Sequence, residues 1–391
     1  MTRLLSRFRT GDLVEVRGKE EILATLDEQG RVDGMPFMPE MFRYCGRQFR
    51  VSAVAHKTCD TVSRTWQGRR LRATVHLAGV RCDGSAHGGC QAECNLFWKD
   101  VWLKPVAVEG SGAATPPAPG KTSAGCTEER LAAGTRHADL GGEAEPRYAC
   151  QATTLLEATE PLAWWDPRQY ALDVLTGNRS PFRVARVLWL ASLRWLLARV
   201  PFGYRLVQAS SDRMHRWLTG RPSPSLNGKF ARGSRTPTAE LDLRPGEYVR
   251  IKSKEEIEQT VDEDGNNRGL GFDQGDMAPY CGGVYKVHSR VSKIIDEATG
   301  RMRHMKQPCI ILEGVTCNSE YASCRLNCPR AIYSYWREIW LERVPPPSPT
   351  GPASEGACGS GATSGGTNAL RLPLPQIPAA PADRPALANT P

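Results

Sequence analysis

The sequence predicts an α+β protein. Two copies of a mainly β domain, each an SH3-like small barrel, flank a helical middle segment, with disordered linkers and tail. Three observations predict this. A stretch of about 100 residues, the size of one small domain, occurs twice. Alternation of apolar and polar residues dominates both copies, as in half-buried strands. Helix start and stop signals are concentrated between them.

The duplication is visible by eye. GDLVEVRGKEEILATLDEQG (11–30) answers GEYVRIKSKEEIEQTVDEDG (246–265), and EMFRYCGRQFRV (40–51) answers DMAPYCGGVYKV (276–287). VHLAGVRC (75–82) then answers IILEGVTC (310–317), and WKDVWL (98–103) answers WREIWL (336–341). Two copies are too few for a solenoid, so two separate globules or one face-to-face pair are expected.

Taken in order, the first copy covers 10–106. GDLVEVR reads as a strand and KEEILATL as a short helix or ordered loop. FRVSAVAHKTCDTV and RRLRATVHLAGV read as two long strands joined around Trp66, Gln67 and Gly68, where the second copy has Thr299 and Gly300. Residues 107–146 are rich in Gly, Ala, Pro and Thr and read as a disordered linker. Residues 147–218 read as a basic helical segment. Asp166-Pro167 and Ser180-Pro181 each supply an N-cap followed by proline, Gly177 stops the first helix, and Pro201 ends the second. A linker at 219–240 leads to the second copy at 241–344. The tail, 345–391, opens PPPSPT and reads as disordered with local polyproline II character.

Cysteine spacing carries the chemical signal. Cys45, Cys82, Cys90 and Cys94 are separated by 36, 7 and 3 residues, and Cys281, Cys317, Cys324 and Cys328 by 35, 6 and 3. Four thiolates can close a tetrahedral zinc shell or hold an iron–sulfur cluster, so each copy is expected to carry a four-cysteine site. Zinc is the leading expectation, because a structural ion stabilises a small domain by on the order of 10 kcal/mol. The competing reading is that these cysteines are small buried hydrophobes. His87, in the loop CDGSAHGGC, is an additional candidate ligand; so are Cys59 and Cys309, although their repeat partners are Ile295 and Thr74. His56 and His76 have no histidine counterpart in the second copy. Cys126, Cys150 and Cys358 have no repeat partner.

Trp98 with Trp102, and Trp336 with Trp340, lie four apart. Core packing is the ordinary reading and an aromatic platform the sharper one. The formal net charge is +9, and residues 147–240 account for +8 of it, with 14 Lys/Arg against 6 Asp/Glu. On a helical wheel Arg183, Arg186, Arg194 and the later Arg205 share one face, opposite a Leu/Trp face. That segment is expected to pack as a core of its own, to lie on an anionic membrane surface, or to bind nucleic acid. Its arginines make it a poor transmembrane span. The start of the chain lacks the apolar stretch of a secretory signal, so a cytoplasmic protein, at most peripheral to the inner membrane, is expected. A reducing compartment favours metal over disulfide for clustered cysteines. No P-loop, Gly-x-Ser-x-Gly or His-Glu-x-x-His is present.

The strings YCGGVYKV, RVSKIIDEATGRM, PCIILEGV and CPRAIYSYWREIWLERV, with RCDGSAHGGC, YACQATTL and WWDPRQYALDVLTGN, resemble an uncharacterised bacterial protein family across both copies and the middle segment. The resemblance implies no activity and no catalytic residues. The sequence therefore predicts a non-enzymatic zinc protein with two four-cysteine sites and a protein partner. An iron–sulfur protein or enzyme built on the first copy is the runner-up, and nucleic-acid binding through the Arg-rich middle the third reading.

Overall fold

The computed structural model describes residues 5–65, 67–106, 126–137, 146–197, 226–320 and 325–347. Cys324, Arg205 and the tail from 348 lie outside them, as does the side chain of Arg194. The molecule is mixed α+β, mostly antiparallel strands with few helices, and Met1–Pro345 forms one compact unit.

In the first copy, Leu13–Val16 (β1) is followed by a short helix, Lys19–Leu23 (α1). After a hairpin of two-residue strands at 31–36 come Gln48–Val54 (β2), Lys57–Cys59 (β3), Gly68–Arg70 (β4), Thr74–Leu77 (β5), Trp98–Lys99 (β6) and Leu103–Pro105 (β7). Five of these strands form an antiparallel sheet in the order β6-β5-β2-β1-β7, with a 3-10 turn, Asp100–Trp102, before the last strand. Between the copies lie Glu128–Ala133 (α2), Glu160–Leu162 (β8), Arg168–Leu175 (α3) and Pro181–Leu197 (α4). The second copy contributes Tyr248–Ile251 (β9), Lys254–Glu258 (α5), Gln274–Met277 (α6), Val284–Ile295 (β10), Met302–Leu312 (β11) and Leu341–Val344 (β12). Its sheet runs β11-β10-β9-β12, and again a 3-10 turn, Glu338–Trp340, precedes the last strand.

The sequence alternation explains the first strand of each sheet. Val14 and Val16 are buried in β1, and Val249 and Ile251 in β9, while the intervening residues remain partly exposed. The preceding turn uses glycine at positive φ in both places, Gly11 at 96° and Gly246 at 95°. Their N–H groups reach Val51 and Val287 carbonyls at 2.8 and 2.9 Å, a conformation that disfavours a side chain. The KEE segments are helical: the Glu21 carboxylate takes the Gly18 N–H at 2.9 Å, and Ser253 with Glu256 forms a capping box. All four repeat tryptophans are 0% exposed, which excludes a stacking platform. Trp98 lies on a strand and Trp102 ends a 3-10 turn; Phe37 packs edge-on against both at 6.2 and 5.1 Å.

Three expectations are corrected. The two long strands of the first copy are broken, with β3 and β4 leaving the main sheet to form a small one in the order β8-β4-β3. His56 and Lys57 are drawn inward there, onto α3. The second copy keeps the uninterrupted hairpin, β10 and β11. Part of the first linker folds: α2, capped by Thr127, buries Leu131 and sits beside buried Cys126 in the first core. Part of the second linker also folds, Phe230 bridging to Asp262 and the Thr236 hydroxyl accepting the Arg268 N–H.

The copies are packed together rather than strung apart. Gln91 Oε1 accepts the Ser292 and Lys293 N–H groups at 2.7 and 3.1 Å, and Gly300 O accepts the Tyr148 N–H at 2.7 Å. Lys57 Nζ, buried, donates to Asp173 at 2.7 Å and to the Leu326 carbonyl at 2.8 Å. This ammonium ties the first copy, α3 and the second copy at one point. Burial lowers its pKa, and Asp173 opposes that effect. Asp173→Asn should therefore cost about 3–5 kcal/mol, the penalty for orphaning a buried charge, read from the midpoint of denaturant unfolding.

A second tie crosses at His288, whose Nε2 lies 2.6 Å from Glu93 Oε2. The bond with Glu93 raises the His288 pKa above 6.5. Burial works against the Glu93 carboxylate, but bonds from His288 and Ser289 bring it below 4.5. The histidine contribution is complete below pH 6.5 and fades as pH rises through the raised value. The glutamate contribution is complete above pH 4.5 and fades as pH falls. The pair is partly exposed and worth about 1 kcal/mol or less. His288→Ala should lower the melting temperature more at about pH 6 than at about pH 8.5, and equal losses would remove the pair from the ledger.

Candidate metal centre

The loop CDGSAHGGC curls tightly because of its glycines. Gly84 has φ 71°, and a Cβ there would run into the Cys90 backbone. The Gly84 carbonyl accepts the His87 and Gly89 N–H groups at 3.1 and 2.8 Å. This folds His87 back over Cys82, with Nε2 3.4 Å from Sγ. Glu40, buried in the 3-10 turn Pro39–Tyr44, reaches the same sulfur at 3.4 Å and His87 Nδ1 at 3.6 Å. Glu40, Cys82 and His87 are all buried and offer one ligand atom each within 4.8 Å of one another, so the group can hold a metal ion. Glu40 Oε2 and His87 Nδ1 have no hydrogen-bond partner among the described residues.

Beside this trio lies a cavity lined by four cysteines: Cys82, Cys90, Cys94 and Cys150. The Cys94 carbonyl accepts the Cys82 N–H at 2.9 Å, bringing the two ends of the motif together. Cys150 comes from the middle segment, which is pinned to the first core by Gln151. That side chain accepts the Phe97 N–H at 2.8 Å and donates to the Phe97 and Pro36 carbonyls at 2.9 and 3.0 Å. The second copy supplies the opposite wall: Ile295, Glu297 and Arg330. The Ile295 N–H points at Cys90 Sγ, 3.3 Å away.

Burial governs the electrostatics. It raises the pKa values of Cys82, Cys90 and Cys94, and brings Cys150 to about 11. It raises Glu40 and lowers His87 to about 4, so the imidazole is neutral and able to ligate. Without a nearby cation the thiols hold their protons; a bound metal would supply the charge that ionises them.

Cys45 and Cys281 do not join their expected sets. Each follows a 3-10 turn in the same conformation, φ −56° and ψ 137°. Cys45 sits near Lys19 of α1, and Cys281 near Lys254 and Glu255 of α5. The turn that aims Glu40 at Cys82 sends Cys45 toward the helix. Both are half-buried packing thiols at the core edge. Cys309 packs at the base of the hairpin, its sulfur 3.6 Å from Arg337. Cys317 and Cys328 lie with Cys59 rather than with Cys281. No three thiols among the described residues approach within 4.8 Å of one another, so neither of the expected four-thiolate zinc shells is assembled there.

Arg183 and Arg186 both engage Glu320, at 2.7 and 3.2 Å, while Val184, Val187 and Leu190 bury the inner face of α4. The two arginines thus address the second copy, and Phe182, Trp189 and Trp195 are exposed. No helix among the described residues is long and apolar enough to cross a membrane.

Glu40 and Cys150 were missed by sequence reasoning. Glu40 had a signal: an acidic residue five positions before the YCG cysteine occurs in both copies, as Glu40 and Asp276. Cys150 had none, since it lies outside the repeat. Comparison with protein-family models, curated proteins and solved structures returned no match. Gln151→Ala removes three bonds and strands the Phe97 backbone; it should cost about 1–3 kcal/mol in chemical denaturation.

Proposed function

We propose that this chain is a non-enzymatic metalloprotein whose centre is an iron–sulfur cluster on Cys82, Cys90, Cys94 and Cys150. The observation that carries this reading is the convergence of four cysteines, three from the loop 82–94 and one from the middle segment, on one cavity, no three of their sulfurs lying within 4.8 Å of one another. A zinc ion with Zn–S bonds of about 2.3 Å would hold its sulfurs about 3.8 Å apart. A four-iron cluster places each thiolate on its own iron, with sulfides between, and needs wider spacing. The Ile295 N–H at Cys90 and the buried Arg330 guanidinium are the kind of surroundings that stabilise an anionic cluster and tune its potential, while the partly exposed Glu297 carboxylate opposes them. In this position the cluster would tie the middle segment to the first copy, against a wall supplied by the second.

Zinc on Glu40, Cys82 and His87 is the second reading. One ligand atom from each lies within 4.8 Å of the others, and the Cys82 Sγ–Glu40 Oε1 separation of 3.4 Å suits one edge of a tetrahedron built from bonds of about 2.0–2.3 Å. We also infer that each copy is an SH3-like barrel. The strand order β6-β5-β2-β1-β7, with a 3-10 turn before the last strand, supports this for the first copy, and the matching pairings of β9 support it for the second. The protein partner is likewise a proposal, supported by the exposed aromatics of α4.

The full chain, purified without oxygen, should contain iron and acid-labile sulfide and absorb near about 400 nm. Cys150→Ser should lower the iron content, and Cys45→Ser should retain it. Zinc that survives Cys150→Ser but is lost in His87→Ala would establish the second reading instead. A metal-free chain would overturn both.

A further inference from the structure

The two copies differ in how they treat one buried cation. Lys99 and Arg337 occupy equivalent positions, each directly after a repeat tryptophan, Trp98 or Trp336. Both are buried and both hold the same piece of backbone. Lys99 Nζ donates to the Arg72 carbonyl at 2.9 Å, and Arg337 Nη1 donates to the equivalent Gln307 carbonyl at 2.6 Å. Lys99 also has a counter-ion: its Nζ lies 2.9 Å from Asp33 Oδ2, in the turn of the hairpin at 31–36. The matching hairpin of the second copy, at 266–271, carries Arg268 where the first has Asp33. The two turns share one shape, with φ 50° at Asp33 and 48° at Arg268, then glycine at 76° and 78°. Positive φ at that position suits Asn, Asp or Gly, so the turn itself gives no reason for an arginine.

Arg337 is therefore a buried guanidinium whose partners are all neutral. It is 8% exposed and donates to the Asn267, Gln307 and Arg268 carbonyls at 3.4, 2.6 and 3.1 Å. It forms no ion pair among the described residues. Burial lowers the pKa of both cations; Asp33 opposes that at Lys99, and no carboxylate does at Arg337. A buried charge without a counter-ion is costly, and here there is room for one. Arg337 lines a cavity of about 760 Å³ together with Arg268, Arg303, His304 and Lys306, a volume within the range of small-molecule sites. No Asp or Glu lines it. A bulge in β11 shapes one wall, residues 305–308 standing opposite Ser292 alone. Leu270, Met305 and Tyr335 add an apolar side. In the first copy a Cβ on the turn glycine, Gly34, would strike the Glu157 backbone, whereas one on Gly269 would meet nothing. The middle segment covers the first turn and leaves the second open.

We propose that this cavity binds a small phosphate-bearing molecule, whose phosphate takes the counter-ion place that Asp33 fills in the first copy. Four permanent cations around one opening favour a multiply charged anion, and guanidinium groups match phosphate oxygens in pairs. No lining residue is shared with the cysteine cavity, so binding here is independent of any metal there. Inorganic pyrophosphate, adenosine diphosphate and a single-stranded oligonucleotide are titrated calorimetrically into the full chain, as wild type, Arg268→Asp and Lys306→Gln. Pyrophosphate and adenosine diphosphate should bind wild type and raise its melting temperature. Arg268→Asp should weaken both by about tenfold or more, because it restores the ion pair of the first copy. Free of ligand, that variant should melt above wild type, which separates lost binding from lost folding. Lys306→Gln, at an exposed position, should weaken binding and leave the ligand-free melting temperature unchanged. Failure of both phosphates to bind wild type at millimolar concentration overturns the proposal, as does unchanged affinity in the two variants. An oligonucleotide that binds and is not displaced by pyrophosphate overturns it in favour of a nucleic-acid surface.

Discussion

The packing of the second copy's hairpin against the first copy's cysteine loop is the constraint on which the rest of the structure depends. Neither copy alone encloses the cavity. The first supplies Cys82, Cys90 and Cys94, the middle segment supplies Cys150, and the far wall is Ile295, Glu297 and Arg330. The contact is held by directional bonds, Gln91 to the β10 backbone and Glu93 to His288 and Ser289, rather than by a broad apolar face. Such bonds are modest singly, but they fix register. A register shift would take the Ile295 N–H off Cys90 and break the wall.

A buried charge network supports this packing from behind. Asp173 receives Lys57 and lies 3.3 Å from His56, while Asn178 bonds both the N–H and carbonyl of Val54 at 2.8 Å. Helix α3 is thereby attached to the strand region carrying Cys59. Charge buried this deeply contributes little net stability, because desolvation offsets attraction; its value lies in admitting one arrangement. That rigidity matters for ligand atoms that must hold position to within fractions of an ångström.

Much of the fold was legible because the repeat exposes it. The strand alternation of GDLVEV and GEYVRI, the KEE helices and the paired tryptophans all fall where the pattern puts them. The broken strands of the first copy were not legible: the break depends on Lys57 finding Asp173 more than 100 residues later. The site was half legible. Repeat spacing grouped Cys45 with Cys82, Cys90 and Cys94, yet spacing reports shared ancestry of position, not shared direction. Cys45 and Cys281 keep the same backbone angles and turn the same way, toward their helices. What completes the thiol-lined cavity, Cys150, lies outside the repeat, and only the folded chain shows it.

The far wall of the first cavity has a consequence for biogenesis. Cys94 and Glu297 are separated by about 200 residues, so at about 5–20 residues per second a ribosome needs roughly 10–40 seconds to make the second after the first. Through that interval the early thiols are unsheltered in the nascent chain, open to oxidants and to adventitious metals. Any metal bound there would therefore be loaded late in the life of the polypeptide, and a delivery factor would have to recognise a chain whose synthesis is nearly finished.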